Sequence, residues 1–103
     1  MTNVVEFVTF KLKEGVTEEQ LLAASDTMNS NFLSLQKGYI ERKLVKREDT
    51  WGDIVLWETM EDALGAMSAV EDVYKEGSAD LTYFEYIEQS TCELNHLTVE
   101  KNY

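Results

Sequence analysis

The order of its periodic segments constrains the fold of this chain more than any other feature of the sequence. Residues 3–13 alternate as in a β-strand, with large apolar side chains on both faces. A helical pattern, two further strand patterns, a second helical pattern and a last strand at residues 91–100 follow. The order β-α-β-β-α-β is that of the ferredoxin-like split motif, in which two helices cover one face of a four-stranded antiparallel sheet. The sequence therefore predicts an α+β fold.

The two helices are marked by their caps and their apolar stripes. Thr17 and Gln20 have the spacing of a capping box, and Thr59 begins the second helix. We expect the first helix to run for about five turns and to end at Gly38. Its predicted stripe consists of Leu21, Ser25, Met28, Phe32 and Leu35. The predicted stripe of the second helix consists of Ala63, Met67, Val70 and Tyr74. A short extra helix is expected around Leu81 and Phe84, before the last strand.

The second and third strands form a predicted β-hairpin. Residues 39–47 carry several charges, which is typical of an edge strand. Residues 48–52 are interpreted as the turn, so Trp51 is expected at a rim or a dimer contact. In the second strand of the hairpin, residues 53–59, both faces are apolar again.

Apolar residues on both faces of a strand require cover on both sides of the sheet. Two helices can cover only one face, and an exposed apolar face of this size marks an interaction surface. The simplest partner is a second copy packed sheet to sheet about a twofold axis. We therefore expect a homodimer whose two sheets enclose a shared interior, with a different chain as the alternative cover.

Composition limits the class of protein and its partners. Residues 1–103 lack a linker and have the length of a single domain. Nine basic and twenty acidic residues give a net charge of −11, which disfavours nucleic acid and membrane surfaces as partners. The single cysteine excludes an intrachain disulfide. Met1-Thr2-Asn3 enters the first strand pattern without a basic leader, so we expect a cytoplasmic protein.

Several stretches resemble a known superfamily over roughly residues 3–100. They are FKLKEGVTEEQLLAA, FLSLQKGYIERKL, WGDIVLWETMEDALGAM and YFEYIEQS. These stretches resemble the dimeric α/β-barrel superfamily, and more closely its small antibiotic-biosynthesis-monooxygenase-like proteins. The Gln-x-Gly-Tyr run, with Arg42 four residues after its glycine, and the start of the second helix carry most of the similarity. The resemblance implies a dimeric α/β barrel.

The activities of the superfamily differ, and a fold alone does not choose among them. Its members include cofactor-independent quinone-forming oxygenases, haem-degrading enzymes and proteins without a known activity. In the haem-degrading branch the important histidine lies in the second long helix. Residues 60–76 contain no histidine, so haem degradation is not expected.

Two residues are candidates for catalysis. His96, the only histidine, lies in the middle of the last strand and could transfer a proton near neutral pH. The alternative is a hydrogen-bonded strand histidine without a role in chemistry. Arg42, if it points into an apolar interior, would bind a carboxylate or stabilise a developing oxyanion. Because other basic residues flank it, the sequence favours a solvated edge for Arg42.

Three other residues are candidates for contact with a ligand. Trp57 could stack on a flat aromatic substrate, although core packing is the favoured interpretation. Tyr39 would help to shape the same pocket. Glu6 interrupts the apolar alternation of the first strand, and burial would raise its pKa and make it a possible base. The sequence favours an exposed strand end for Glu6.

Two functional hypotheses remain open at this point. One is a small cofactor-independent oxygenase or isomerase that acts on a flat, hydrophobic, quinol- or polyketide-like molecule. The other is a non-catalytic dimer that binds a small apolar ligand or has a structural role, because the predicted interior contains few polar groups. The chain has no phosphate loop, dinucleotide fingerprint or zinc spacing, so neither a cofactor nor a metal is expected.

Overall fold

The computed structural model describes residues 2–103, which form one antiparallel sheet and two long helices. The elements are β1 (Val4–Leu12), α1 (Glu18–Asn31), β2 (Tyr39–Arg47), β3 (Thr50–Trp57), α2 (Met60–Lys75) and β4 (Ile87–Thr98). Two short 3-10 helices, Leu33–Leu35 and Ala79–Tyr86, precede β2 and β4. The strand order is β2-β3-β1-β4, so the predicted ferredoxin-like α+β fold is confirmed.

The alternation within β1 assigns the strand residues to two faces. Val4 and Phe10 are buried beneath the helices, so the even-numbered positions of β1 face the helices. Residues directly opposite each other in an antiparallel pair share a face. The helix-facing partners are Trp51, Asp53, Val55 and Trp57 of β3 and Leu94, His96 and Thr98 of β4. The odd-numbered positions of β1 point to the opposite, uncovered face.

The first helix begins as predicted but ends earlier. The Thr17 hydroxyl accepts from the Gln20 backbone N–H at 3.1 Å, and the Gln20 side chain accepts from the Thr17 N–H at 2.9 Å. The helix stops at Asn31 because Phe32 leaves the helical region with φ −138°. Gly38 therefore does not end α1. Leu35, in the 3-10 turn, is 73% exposed and is not part of the buried stripe.

The second helix is held close to the start of β2. Thr59 caps it by accepting from the Asp62 N–H at 3.0 Å. Gly38 has φ +84°, and a Cβ at this position would overlap the buried Asp62 carboxylate. Glycine is required here both for backbone conformation and for space. Ala63 is buried as predicted, and Ala66 on the same helix is buried as well, whereas Tyr74 is 44% exposed and is not part of the buried stripe.

The hairpin and the last strand differ in extent from the prediction. Thr50 pairs with Arg47, so the turn contains only Glu48 and Asp49. Trp51 lies within β3, buried against the core rather than at a rim. β4 begins at Ile87, four positions before the predicted start, because pairing with β1 resumes at Ile87 and Glu88 beyond an irregularity between Glu88 and Glu93 of β4. The predicted extra helix is the 3-10 segment Ala79–Tyr86.

The uncovered face of the sheet is apolar, in agreement with the two-sided strand pattern. Four of its apolar residues are half-buried, namely Val5, Phe7, Ile54 and Leu56, and two are exposed, namely Val45 and Leu97. We call this group the open-face patch. No helix within residues 2–103 has the length and apolar character needed to cross a membrane.

Candidate functional site

A cavity of about 260 Å³ lies between the helix-covered face of the sheet and the helices. Its apolar wall is formed by Val8, Phe10, Met28, Leu33, Val55, Trp57, Ala66, Met67, Val70, Phe84, Ile87 and Leu94. Small side chains on α2, such as Ala66, leave space above the sheet that larger ones would fill. This space lies on the helix-covered face, whereas the predicted shared interior would lie between the open faces of two copies. Trp57 and His96 both face the helices.

The mouth of the cavity lies between α2 and the edge strand β4. Four residues that line the cavity are exposed, namely Glu71 of α2 and Gln89, Cys92 and Leu94 of β4. Partial burial raises the pKa of the Cys92 thiol, which favours its neutral form. The buried lining residues Phe10, Val55 and Trp57 form the floor. A ligand would therefore enter past a carboxylate and a thiol to reach an apolar floor.

Glu6 and His96 form a pair beside the cavity. They are direct partners across β1 and β4, and His96 Nε2 lies 2.9 Å from Glu6 Oε1. Their side chains are only 14% (His96) and 16% (Glu6) exposed. Glu6 lines the cavity, whereas His96 is not among the lining residues. The expectation that Glu6 lies at an exposed strand end is wrong, because its even-numbered position directs it towards the helices.

The pKa of Glu6 is raised by burial, which is the largest influence on it. The hydrogen bond and charge of His96 act in the opposite direction but do not cancel the effect of burial. A carboxyl with a raised pKa is a better proton acceptor than an exposed one, since its conjugate acid is more stable. The pair thus combines a cavity-facing base with a second proton carrier behind it.

Arg42 is buried rather than solvated. Its Nε donates to Asp53 Oδ1 and its terminal nitrogen to Asp53 Oδ2, both at 2.9 Å. The Tyr83 hydroxyl donates to Asp53 Oδ2 at 2.8 Å, and the guanidinium lies 5.3 Å from the centre of the Tyr83 ring. The Arg42 side chain is 5% exposed, so the predicted solvated edge is wrong at this position. Arg42 lies opposite Val55 in the sheet and therefore faces the helices, where the Asp53 carboxylate neutralises it.

Contact with Asp53 affects the pKa values of both Arg42 and Tyr83. Burial lowers the pKa of Arg42, but its hydrogen bond and charge contact with Asp53 outweigh burial and raise it. Burial, with the Asp53 charge in second place, raises the pKa of Tyr83 well above its ordinary value. Tyr83 therefore remains a neutral hydrogen-bond donor. Asp53 and Tyr83 line the cavity, whereas Arg42 stands behind them.

Trp57 forms part of the cavity floor and has one unused polar group. The residue is 1% exposed, and its Nε1–H is buried without a hydrogen-bond partner among the described residues. Tyr39 packs edge-on against its ring, with centroids 6.1 Å apart, and donates to Asn29 Oδ1 at 3.3 Å. Tyr39 does not line the cavity and instead supports Trp57. A buried donor without an acceptor is unfavourable, and a ligand oxygen would relieve this cost.

The sequence missed Asp53 and Tyr83 as site residues. A signal for Asp53 was available in the sequence. Asp53 is the single charge in the apolar run of β3, and the neighbouring strand β2 carries Arg42. Tyr83 had no such signal, since its place depends on the irregular segment before β4. Within residues 2–103, His, Cys, Asp and Glu side chains form no group of three that could hold a metal ion.

The sequence matches no protein-family model and no curated protein. Solved structures match it over nearly the whole chain. A protein of Bordetella bronchiseptica, provisionally assigned as an antibiotic biosynthesis monooxygenase, has a TM-score of 0.74 at 14% identity and covers 100% of both chains. The chain shares the ferredoxin-like α+β fold of that protein.

Two further structures with this fold have more specific descriptions. A point variant of SnoaB, a cofactor-independent oxygenase from Streptomyces nogalater, has a TM-score of 0.72 at 12% identity, over 97% of this chain and 95% of that one. A monooxygenase of Streptomyces coelicolor in complex with nanaomycin D has a TM-score of 0.70 at 12% identity, over 99% and 91%. At these identities the likeness establishes the fold, and the expected resemblance is confirmed at that level.

Proposed function

We propose that this protein is a monooxygenase-like enzyme that acts without a cofactor on a flat, hydrophobic, quinol- or polyketide-like molecule. The observation that carries the proposal is the cavity beside the Glu6–His96 pair, whose floor includes the Trp57 ring. A pocket that combines an apolar wall with a few convergent polar groups is typical of a small-molecule site. The descriptions of SnoaB and of the nanaomycin complex support the same class of reaction.

The chemistry requires a base and a way to stabilise negative charge. Removal of a proton from an activated ring carbon leaves its electron pair delocalised onto a ring oxygen, and the resulting carbanion reacts with O₂. When a ring CH₂ becomes a carbonyl, one oxygen atom enters the product and the other leaves as water. The ring carbon supplies all four electrons that reduce O₂ to the carbonyl oxygen and water, so the balance requires no external reductant. The protein contributes proton transfer and orientation.

In this proposal Glu6 and His96 move the proton. The Glu6 carboxylate faces the cavity and accepts the proton, and His96 relays it away from the cavity through their 2.9 Å contact. The Trp57 N–H is buried beneath the floor without an acceptor among the described residues, and in this proposal it becomes the donor to the substrate oxygen on which charge develops when that oxygen reaches it. Arg42 acts as a positioning residue, because it holds Asp53 and is shielded from the cavity. Tyr39 keeps the Trp57 ring in place.

Oxygen uptake with a panel of hydroquinones and anthrones tests the enzyme proposal. We expect turnover by the wild type and a decrease of at least about tenfold in His96→Ala and Glu6→Gln. Glu14→Gln is the matched control, since Glu14 does not line the cavity and the change in charge is the same as in Glu6→Gln. Turnover no higher than that of His96→Ala across the whole panel would contradict the enzyme proposal.

A non-catalytic ligand-binding function is the second candidate. The Asp53 carboxylate is already bound by Arg42 and Tyr83, and Glu6 by His96, so the polar groups largely satisfy one another. A cavity whose polar groups are already paired can hold a ligand through shape and apolar contact alone. Saturable binding of an aromatic molecule without consumption of oxygen would favour this alternative.

We also propose that the protein acts as a homodimer in the cytoplasm. The open-face patch is the surface that a second copy would cover, since apolar residues of neighbouring strands are contiguous there. A twofold axis through the patch would leave the mouth of each cavity, between α2 and β4, on the other side of the sheet. Each copy would then keep its own site.

A further inference from the structure

We infer that the cavity selects uncharged ligands and rejects carboxylates of the same shape. The inference rests on the proposed function, since it concerns the ligand of the same cavity. It also differs from the possibility raised by the sequence that Arg42, if it pointed into an apolar interior, would bind a carboxylate.

Every charged side chain in the cavity lining is acidic. Glu6, Asp53 and Glu71 line the cavity, and no lysine, arginine or histidine does. The two nearby cationic candidates are Arg42 and His96, and both stand behind the lining. Arg42 makes two 2.9 Å bonds to Asp53, and His96 lies 2.9 Å from Glu6. Each is therefore paired with an acidic lining residue, and neither side chain is part of the cavity wall.

An anionic ligand would therefore lose its hydration without gaining a counter-charge. It would meet the Glu71 carboxylate at the mouth and the Glu6 carboxylate inside, both of the same sign. The net charge of −11 opposes its approach from a distance as well. Burial and like charge both act against a carboxylate here.

An uncharged ligand finds partners for its own polar groups in the same cavity. The buried Trp57 N–H has no acceptor among the described residues and can donate to a carbonyl oxygen. The Glu6 carboxylate can accept from a hydroxyl or amide N–H. An uncharged ring system with one carbonyl and one donor thus complements the cavity better than a carboxylate does.

The experiment compares 2-naphthamide with 2-naphthoate, which differ chiefly in charge near neutral pH. Titration calorimetry measures each affinity, and NMR of the nitrogen-labelled protein follows the indole N–H signal of Trp57, assigned with Trp51→Phe. We expect the amide to bind at least about tenfold more tightly than the carboxylate. We also expect the amide to shift the Trp57 signal.

Variants separate the local charge from the overall charge. Glu6→Gln should reduce the ratio of amide to carboxylate affinity, whereas Glu14→Gln, with the same change in net charge outside the cavity, should leave it unchanged. Equal affinities for the two probes in the wild type, with both shifting Trp57, would overturn the inference and leave the proposed cavity intact. If neither probe binds, the ligand cavity of the proposed function fails, and the inference fails with it.

Discussion

Arg42 and Asp53 face each other in a bidentate ion pair inside the helix-covered side of the sheet, with both N···O distances at 2.9 Å. The pair is nearly inaccessible to solvent, and Tyr83 supplies a third bond to the same carboxylate. Removal of either charge alone would leave the other buried without a partner, which is strongly destabilising. The pair holds one wall of the cavity in place, and the Arg42 guanidinium is already bound to Asp53.

Arg42→Met should destabilise the fold strongly, because it leaves the Asp53 carboxylate buried without its cation. We expect a loss of about 3–5 kcal/mol in the free energy of unfolding. Urea denaturation measures this loss. Arg47→Met, at an exposed position on the same strand, should change stability by less than about 0.5 kcal/mol. A small effect at Arg42 would show that the ion pair does not hold the wall.

The free energy of unfolding should depend on pH through Glu6. Burial raises the pKa of this carboxyl above its ordinary value of 4.5, although His96 opposes the effect. Between the unfolded and the raised folded pKa, the folded chain binds more protons than the unfolded chain. Stability therefore decreases as pH rises through that window. Glu6→Gln removes this contribution, so the variant should gain stability relative to wild type as pH rises above 4.5.

Urea denaturation at a series of pH values measures this difference. Glu14→Gln serves as the control and should give a stability difference that is independent of pH in the same window. Parallel curves for wild type and Glu6→Gln would indicate that Glu6 is not desolvated in the folded protein.

The Trp57 N–H should contribute to ligand affinity. Trp57→Phe keeps an aromatic ring in the floor and removes the donor, so the affinity for 2-naphthamide should decrease by about 0.5–1.5 kcal/mol. Trp51→Phe is the matched control, because Trp51 is buried in the same strand but does not line this cavity. Calorimetry measures both affinities. Equal losses in the two variants would point to a general effect on packing.

Gly38 should tolerate a side chain less well than Gly15. Both have positive φ, +84° and +86°, but only at Gly38 would a Cβ overlap Asp62. Gly15→Ala should cost about 1 kcal/mol from backbone strain alone, and Gly38→Ala about 2 kcal/mol or more. Thermal or urea unfolding measures the difference. Equal costs would mean that the Asp62 side chain moves away freely.

The open-face patch should control the oligomeric state. Ile54→Glu places a charge in the patch and should shift a dimer towards the monomer in sedimentation experiments at micromolar concentration. Leu35→Glu alters an exposed leucine in the 3-10 turn and should leave the state unchanged. A wild-type protein that sediments as a monomer would contradict the homodimer proposal.

The periodic patterns predicted the fold well because they report local and pairwise physics. Capping at Thr17 and Thr59 was read correctly, since a cap depends on residues only three positions apart. The end of α1 and the start of β4 differ from the prediction. The first depends on the backbone at Phe32, and the second on how far β1 continues to pair.

The candidate site was predicted in part. Trp57 was identified as a possible lining residue, and it lies in the floor of the cavity. For Arg42 and Glu6 the sequence favoured solvent exposure, and both are largely buried. Charged residues within strands are usually exposed, and only a specific partner reverses that tendency. Asp53 and His96 are those partners, and strand register brings them into contact.

The sequence by itself determined the element order, the caps and the two-sided apolar character of β1 and β3, because these depend on residue type and short-range spacing. Only the tertiary structure decided which sheet face the helices cover. That choice directed Glu6, Asp53, Trp57 and His96 to the same side of the sheet. It depends on the packing of the whole core, since a strand with apolar residues on both faces is compatible with either choice.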